Sequence, residues 1–233
     1  MKPITIGITD CSKYPNYEQW IRQEADTEVI RLSYKENNFA DIERCQGIIL
    51  SGGEDVHPRF YNKMEYLEYC DEIDERRDEF EWKVLEYTES KQLPLLGICR
   101  GLQMANVFYG GTLVPDIPSF GRFNHSRFAD KDRYHTVQVD ANSMLRKIAG
   151  SEIGEINSAH HQSAELIGKG LVSNALSPDG IVEGIERKNG AGKPYLQLVQ
   201  WHPERMTDLG NPFSKNIKLS FLEAVREGVR SKE

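Results

Sequence analysis

Short apolar runs alternate with helical patterns along the first half of the chain. "ITIGIT" (Ile4 to Thr9) reads as a strand, "NYEQWIRQEA" as a helix, "EVIRLS" as a second strand and "QGIILSGG" as a third that ends in a glycine pair. "DEIDERRDEFEWKVLEYTESKQ" has the spacing of a long, charged helix, with Ile73, Phe80, Val84, Leu85 and Tyr87 as its expected inner stripe. Pro94 stops it before the strand "LPLLGI", and "RGLQMANVFYG" follows as a helix that ends at Gly110-Gly111. Alternation of this kind predicts an α/β fold: a mainly parallel sheet with helices on both faces. The second half changes character. "YHTVQVD", "EIGEIN", "GLVSNAL", "GIVEGIER" and "PYLQLVQ" are β-rich and follow one another closely, which predicts an antiparallel excursion before a closing helix from Asn216 to Val229. No repeat, linker or low-complexity tract divides the 233 residues, so one domain, 1–233, is expected.

Composition narrows the function classes. The net charge of -7 and the lack of a basic stripe argue against nucleic acid as a partner. No window approaches the ~20 apolar residues that cross a bilayer, and "MKPITIGITD" lacks a signal-peptide core, so no membrane association and a cytoplasmic location are expected. Cys11, Cys45, Cys70 and Cys99 form no CxxC pair and read as reduced thiols. Neither GxxxxGK[ST] nor GxGxxG occurs, which excludes the common nucleotide-binding loops.

The candidate chemistry centres on "LPLLGICRGLQ". Gly97-Ile98-Cys99-Arg100-Gly101 has the spacing of a nucleophile elbow, in which a tight strand-to-helix turn leaves no room for side chains two residues either side of the nucleophile. Such a turn strains the nucleophile's backbone, projects its side chain into solvent and aims the N–H of Arg100 at a forming oxyanion. A free thiol of pKa ~8.5 is only ~3% ionised at pH 7, and lowering it to about 6 takes ~3.4 kcal/mol. A helix N-terminus supplies roughly 0.3–2 kcal/mol, so a cationic partner is required as well. Of six histidines, His202 in "QWHPE" follows an apolar strand, and Glu204 two residues on would share its side of an extended segment. That carboxylate would orient and charge the imidazole. In "GIILSGGEDVHP", Gly52-Gly53 again ends a buried strand, and the N–H of Gly53 could be a second oxyanion donor. His160-His161 does not read as a metal site: neighbours on a strand face opposite ways, and no cysteine or carboxylate pattern completes a ligand set.

Taken together, "GICRGLQ", "SGGEDVHP" and "QWHPE", in this order, resemble the class I glutamine amidotransferase superfamily, and within it the stand-alone peptidase C26 branch of γ-glutamyl hydrolases. "RRDEFE", "GGTLVPDI", "HTVQVD", "NSAHHQ" and "SPDGIVEGIE" agree as well, so the likeness runs from about Gly47 to Glu204. It implies a flavodoxin-like fold and a catalytic triad of Cys99, His202 and Glu204, with Gly53 and Arg100 as backbone oxyanion donors. It also implies substrate contacts from Gly52, Gln103, Asn157, Ser158, His161 and Gln162, no metal and no cofactor. The implied reaction is hydrolysis of a small γ-glutamyl amide through a thioester. The alternatives are a glutaminase subunit that serves a separate synthase and a silent module of the same fold, and a homodimer is left open. Two features depart from the family pattern. The first 45 residues agree poorly, with only "NYEQW" and "EADTEVIRL" where relatives carry a longer part, a tyrosine-bearing helix and a Gly-rich stretch before the second strand, and an arginine follows the cysteine where synthase-linked chains carry a less charged residue.

Overall fold

A computed structural model describes residues 3–208 and 210–231. Eleven strands are formed: β1 (Ile4–Thr9), β2 (Thr27–Leu32), β3 (Gly47–Leu50), β4 (Leu95–Ile98), β5 (Leu113–Val114), β6 (Arg133–Val139), β7 (Ile153–Ser158), β8 (Ser163–Ala164), β9 (Leu171–Leu176), β10 (Val182–Arg187) and β11 (Leu196–Val199). The helices are α1 (Tyr14–Arg22), α2 (Glu75–Ser90), α3 (Arg100–Phe108), α4 (Met144–Ala149) and α5 (Pro212–Arg230).

Nine strands make one sheet in the order β2-β1-β3-β4-β11-β10-β9-β6-β7, and β5 pairs with β8 apart from it. The first five strands are parallel, an order equivalent to the flavodoxin-like 2-1-3-4-5. From β11 outward every pairing is antiparallel. The sheet is thus mixed: a parallel half that carries helices on both faces, and an antiparallel extension. Residue patterns follow from that. β3, β4 and β11 are buried along their whole length and read as continuous apolar runs, whereas exposure alternates along β6. One core packs Trp20 and Ile21 of α1 and Phe221, Leu222 and Val225 of α5 on one face. A second packs Val84 and Leu85 of α2 with Leu102 and Ala105 of α3 on the other.

Three elements differ from the expected pattern. α5 begins at Pro212, four residues before Asn216, because Asn211 caps it by accepting from the N–H of Phe213 at 2.8 Å and proline fits the first helical position. α4 has six residues, too few to leave a periodic signature. In α2 the inner face holds Arg77, Asp78 and Glu81 beside Phe80, Val84 and Leu85, while Ile73 lies before the helix and Tyr87 is only partly buried. An apolar count misses such a stripe, since these charges are buried by pairing with one another and with Arg100.

Candidate functional site

The parallel order places the carboxyl ends of β3, β4 and β11 side by side, and Gly52, Cys99 and His202 follow those ends. Cys99 has φ 53° and ψ -109°, a conformation rare for a residue with a side chain. Its N–H donates to the Val199 carbonyl at 2.7 Å, and its carbonyl accepts from Leu102 and Gln103 in the first turn of α3. The flanking glycines are sterically required. A Cβ on Gly97 would lie 2.8 Å from the Gly101 carbonyl oxygen, and one on Gly101 would lie 2.2 Å from the Leu50 carbonyl oxygen. Rather than projecting into solvent, the Cys99 thiol is buried and faces a cavity of about 140 Å³, lined also by Tyr17, Gly52, Gly53, His202, Lys13 and Arg205.

His202 Nδ1 is 2.8 Å from Glu204 Oε1, both residues being buried. Glu204 sits in a short 3-10 turn, Pro203–Arg205, and not on an extended segment, yet its carboxylate still meets the imidazole. Burial opposes charge on His202, but the Glu204 carboxylate and the adjoining Cys99 sulfur outweigh it and hold its pKa up at about 9. The His202 backbone is clamped as well: its N–H donates to Asn157 Oδ1 and its carbonyl accepts from Asn157 Nδ2, each at 3.0 Å.

The glycine loop is held from two sides. The Gly52 N–H donates to the Tyr17 hydroxyl at 2.9 Å, and the Gly52 carbonyl accepts from Arg77 Nη2 at 2.8 Å. In a trans peptide the Gly53 N–H points opposite to that carbonyl, away from Arg77. It has no acceptor among the described residues, and neither has the N–H of Arg100, the first residue of α3. Gly53 itself has φ 146°, and a Cβ there would meet Arg77 Nη1 at 2.0 Å. Arg77 is fixed in turn by Glu81 at 3.0 Å and by Glu54, while the Arg100 side chain pairs with Asp78 and Glu81 beneath the cysteine turn.

Of the six residues expected at the substrate, Gly52 alone lines the Cys99 cavity. Gln103 donates to the Gln162 carbonyl and to Gln200 Oε1, Ser158 donates to the His125 carbonyl, and Gln162 reaches Cys70. His161 lies between Asp55 and Asp116, whose carboxylates raise its pKa to about 9 against its partial burial, and it lines a neighbouring pocket with Gly53 and Glu54. Tyr17, Arg77 and Gln200 were not expected. Gln200 donates to the Cys99 sulfur at 3.5 Å, and its signal lay in the first letter of "QWHPE".

The peptidase C26 profile matches residues 11–204. The chain belongs to the peptidase C26 family. The match reaches back into the segment where motif agreement is weak. A Schizosaccharomyces pombe protein named "Putative glutamine amidotransferase PB2B2.05" is 39% identical over 88% of this chain and 79% of its own length. Gamma-glutamyl-gamma-aminobutyrate hydrolase PuuD of Escherichia coli is 30% identical over 70% of this chain and 65% of its own. Among solved structures, the glutaminase domain of Trypanosoma brucei CTPS superposes with a TM-score of 0.67 at 14% identity, covering 96% of this chain and 94% of the other. Family membership makes this a hydrolase-like enzyme of the glutamine amidotransferase type. No described helix is long and apolar enough to cross a membrane.

Proposed function

We propose that this protein hydrolyses γ-glutamyl amides of small amines, with Cys99 as nucleophile, His202 as general acid and base, and Glu204 as the orienting carboxylate. The observation that carries the reading is the conjunction of Cys99 at φ 53° on the strand-to-helix turn with His202 held at 2.8 Å by buried Glu204. The Cys99 thiolate attacks the γ-carbonyl, and the N–H groups of Gly53 and Arg100 receive the oxyanion, each worth about 3 kcal/mol of barrier. The His202 imidazolium gives its proton to the nitrogen as the C–N bond breaks, which leaves a glutamyl thioester and a free amine. Neutral His202 then takes a proton from water, hydroxide attacks the thioester, and collapse releases glutamate and restores the ion pair. No step calls for a cofactor.

Charge around the cavity supports an allocation of the substrate's two ends. Lys13, Arg127 and Arg205 line the Cys99 cavity and fit the glutamyl α-carboxylate. Beyond Gly53, Glu54, Asp55, Asp71 and Glu72 line a pocket of about 470 Å³ that fits a neutral or cationic amine better than an anionic one. A leaving group larger than ammonia brings remote binding energy with which to orient the scissile bond. The test is kcat/KM of the protein alone on glutamine, γ-glutamyl-γ-aminobutyrate and a γ-glutamyl diamine, which should increase in that order. Activity on glutamine only after a synthase is supplied would establish the amidotransferase-subunit reading instead, which the name of the 39% identical Schizosaccharomyces pombe relative favours.

A further inference from the structure

We propose that His125, His135 and Glu183, with His160 beside them, form a binding site for one divalent transition metal ion of the zinc type, apart from the Cys99 cavity. Glu183 projects from β10 and is wholly buried. Its Oε1 lies 3.3 Å from His125 Nδ1, 3.4 Å from His135 Nε2 and 3.6 Å from His160 Nε2. None of these approaches has the alignment of a well-formed hydrogen bond, so both Glu183 oxygens, His135 Nε2 and His160 Nε2 are buried without an aligned partner, although the rings still hold the Glu183 carboxyl well below its usual range against burial.

The opposite nitrogen of each ring explains why. His135 Nδ1 faces the Thr136 carbonyl at 2.9 Å, His160 Nδ1 faces the Gln162 carbonyl at 2.9 Å, and His125 Nε2 faces the Asp179 carboxylate at 3.2 Å. Carbonyls and carboxylates only accept, so these outer nitrogens carry the N–H. With the rings neutral each has one N–H, which leaves three inner lone pairs aimed at a carboxylate; an imidazolium at His135, whose pKa Glu183 raises against burial, would relieve one of the three. The Ser158 hydroxyl is no donor to them, since it is committed to the His125 carbonyl at 2.7 Å. A proton relieves only the ring that carries it, whereas a cation at the centre turns the whole convergence of acceptors from repulsive to favourable. Outer N–H groups donated to a carbonyl or carboxylate are also the usual second layer around metal-bound histidines.

The spacing agrees. Two donors bound tetrahedrally at 2.0–2.1 Å from zinc stand about 3.3–3.4 Å apart. The donor atoms of His125, His135 and Glu183 lie within 4.8 Å of one another, and His160 Nε2 stands 3.6 Å from the shared Glu183 oxygen. Imidazoles with a single carboxylate favour zinc and its first-row neighbours over magnesium or calcium. His125 and His135 also line a surface pocket of about 220 Å³, which gives an ion a way in.

The place of the cluster suggests what the ion does. His160 is next to Ala159, which lines the Cys99 cavity, and shares a segment with Asn157, the clamp on His202. The Glu183 carbonyl accepts from the N–H of Gln200, whose side chain reaches Cys99. A bound ion would fasten both segments from behind. His160 and His161 lie in the loop after β7 and not on a strand; His160 faces Glu183 while His161 faces Asp55, and the partners of His160 come from β6, β10 and the loop before β6, positions that local spacing cannot connect.

Zinc and cobalt(II) are the probes. Full-length protein is stripped with a chelator, reloaded with zinc, desalted and assayed by elemental analysis, and titrated with cobalt(II) for the visible bands of a low-coordinate ion. The expected result is one equivalent per chain, a Tm that rises on loading, and full retention in Cys99→Ser. Glu183→Gln, nearly isosteric, and His135→Ala, at a partly exposed position, should each lose the stoichiometric ion, and Asp179→Asn should bind about 10–100-fold more weakly. Wild type that holds no more metal than Glu183→Gln would overturn the proposal, as would metal lost in Cys99→Ser but kept in both cluster variants.

Discussion

Replacing Glu204 by glutamine removes one charge from a buried pair and leaves its shape nearly intact. In the native protein the carboxylate, 2.8 Å from Nδ1, is the main influence that raises the His202 pKa to about 9 against burial. Without it the value should fall towards its ordinary ~6.5, by up to about 2.5 units since the Cys99 sulfur still favours the charge, which is on the order of 3 kcal/mol at 1.36 kcal/mol per unit. At pH 8 the imidazolium population then falls from ~90% to as little as ~3%, so a step that needs it as acid slows by up to about thirtyfold. The sign for stability follows from the raised pKa. The pair stabilises the fold fully below pH ~6.5, and that contribution fades as pH rises through about 9. NMR titration of the imidazole resonances, with His202 assigned by its loss in His202→Gln, reads the shift without any substrate. A wild-type His202 midpoint near 6.5, or one unmoved in Glu204→Gln, would refute the reasoning.

Other outcomes follow from the same geometry. Gly101→Ala drives a Cβ against the Leu50 backbone, so it should cost on the order of 1–3 kcal/mol or more and lower Tm by several degrees in a thermal melt. Iodoacetamide at neutral pH, followed by peptide mapping, should label Cys99 alone, because burial pushes Cys45 to about 12 and Cys70 to about 11 and raises Cys11 as well. Equal labelling of all four thiols would remove the case for an activated one. Arg77→Lys keeps the charge but loses the fork that holds the Gly52 carbonyl, so kcat should fall up to about 10²-fold with KM little changed, a split visible in steady-state kinetics.

What was legible in the sequence was whatever local spacing controls. β1 begins and ends where the alternation of "ITIGIT" puts it, and the glycines around Cys99 announced a turn whose steric reason the Gly97–Gly101 contact supplies. Glu204 was picked out by a spacing of two on an assumed strand; it meets His202 from a 3-10 turn, so the residue was found through the wrong backbone. What stayed hidden depends on long-range pairing. Arg77, Asp78 and Glu81 fell outside the expected apolar stripe because Arg100 and the Gly52 carbonyl, which make their burial tolerable, lie elsewhere in the chain. Asn157, expected at the substrate, instead spends its amide on the His202 backbone, and the His125–His135–Glu183 cluster draws on strands that are distant in sequence.

The central claim is that the Cys99 sulfur forms the bond to the glutamyl group. Glutamate release from a γ-glutamyl diamine by wild type and by Cys99→Ala, each without any partner protein, tests it most directly. The account predicts steady turnover by wild type and none by Cys99→Ala, while glutamate release at equal rates from the two proteins would contradict it.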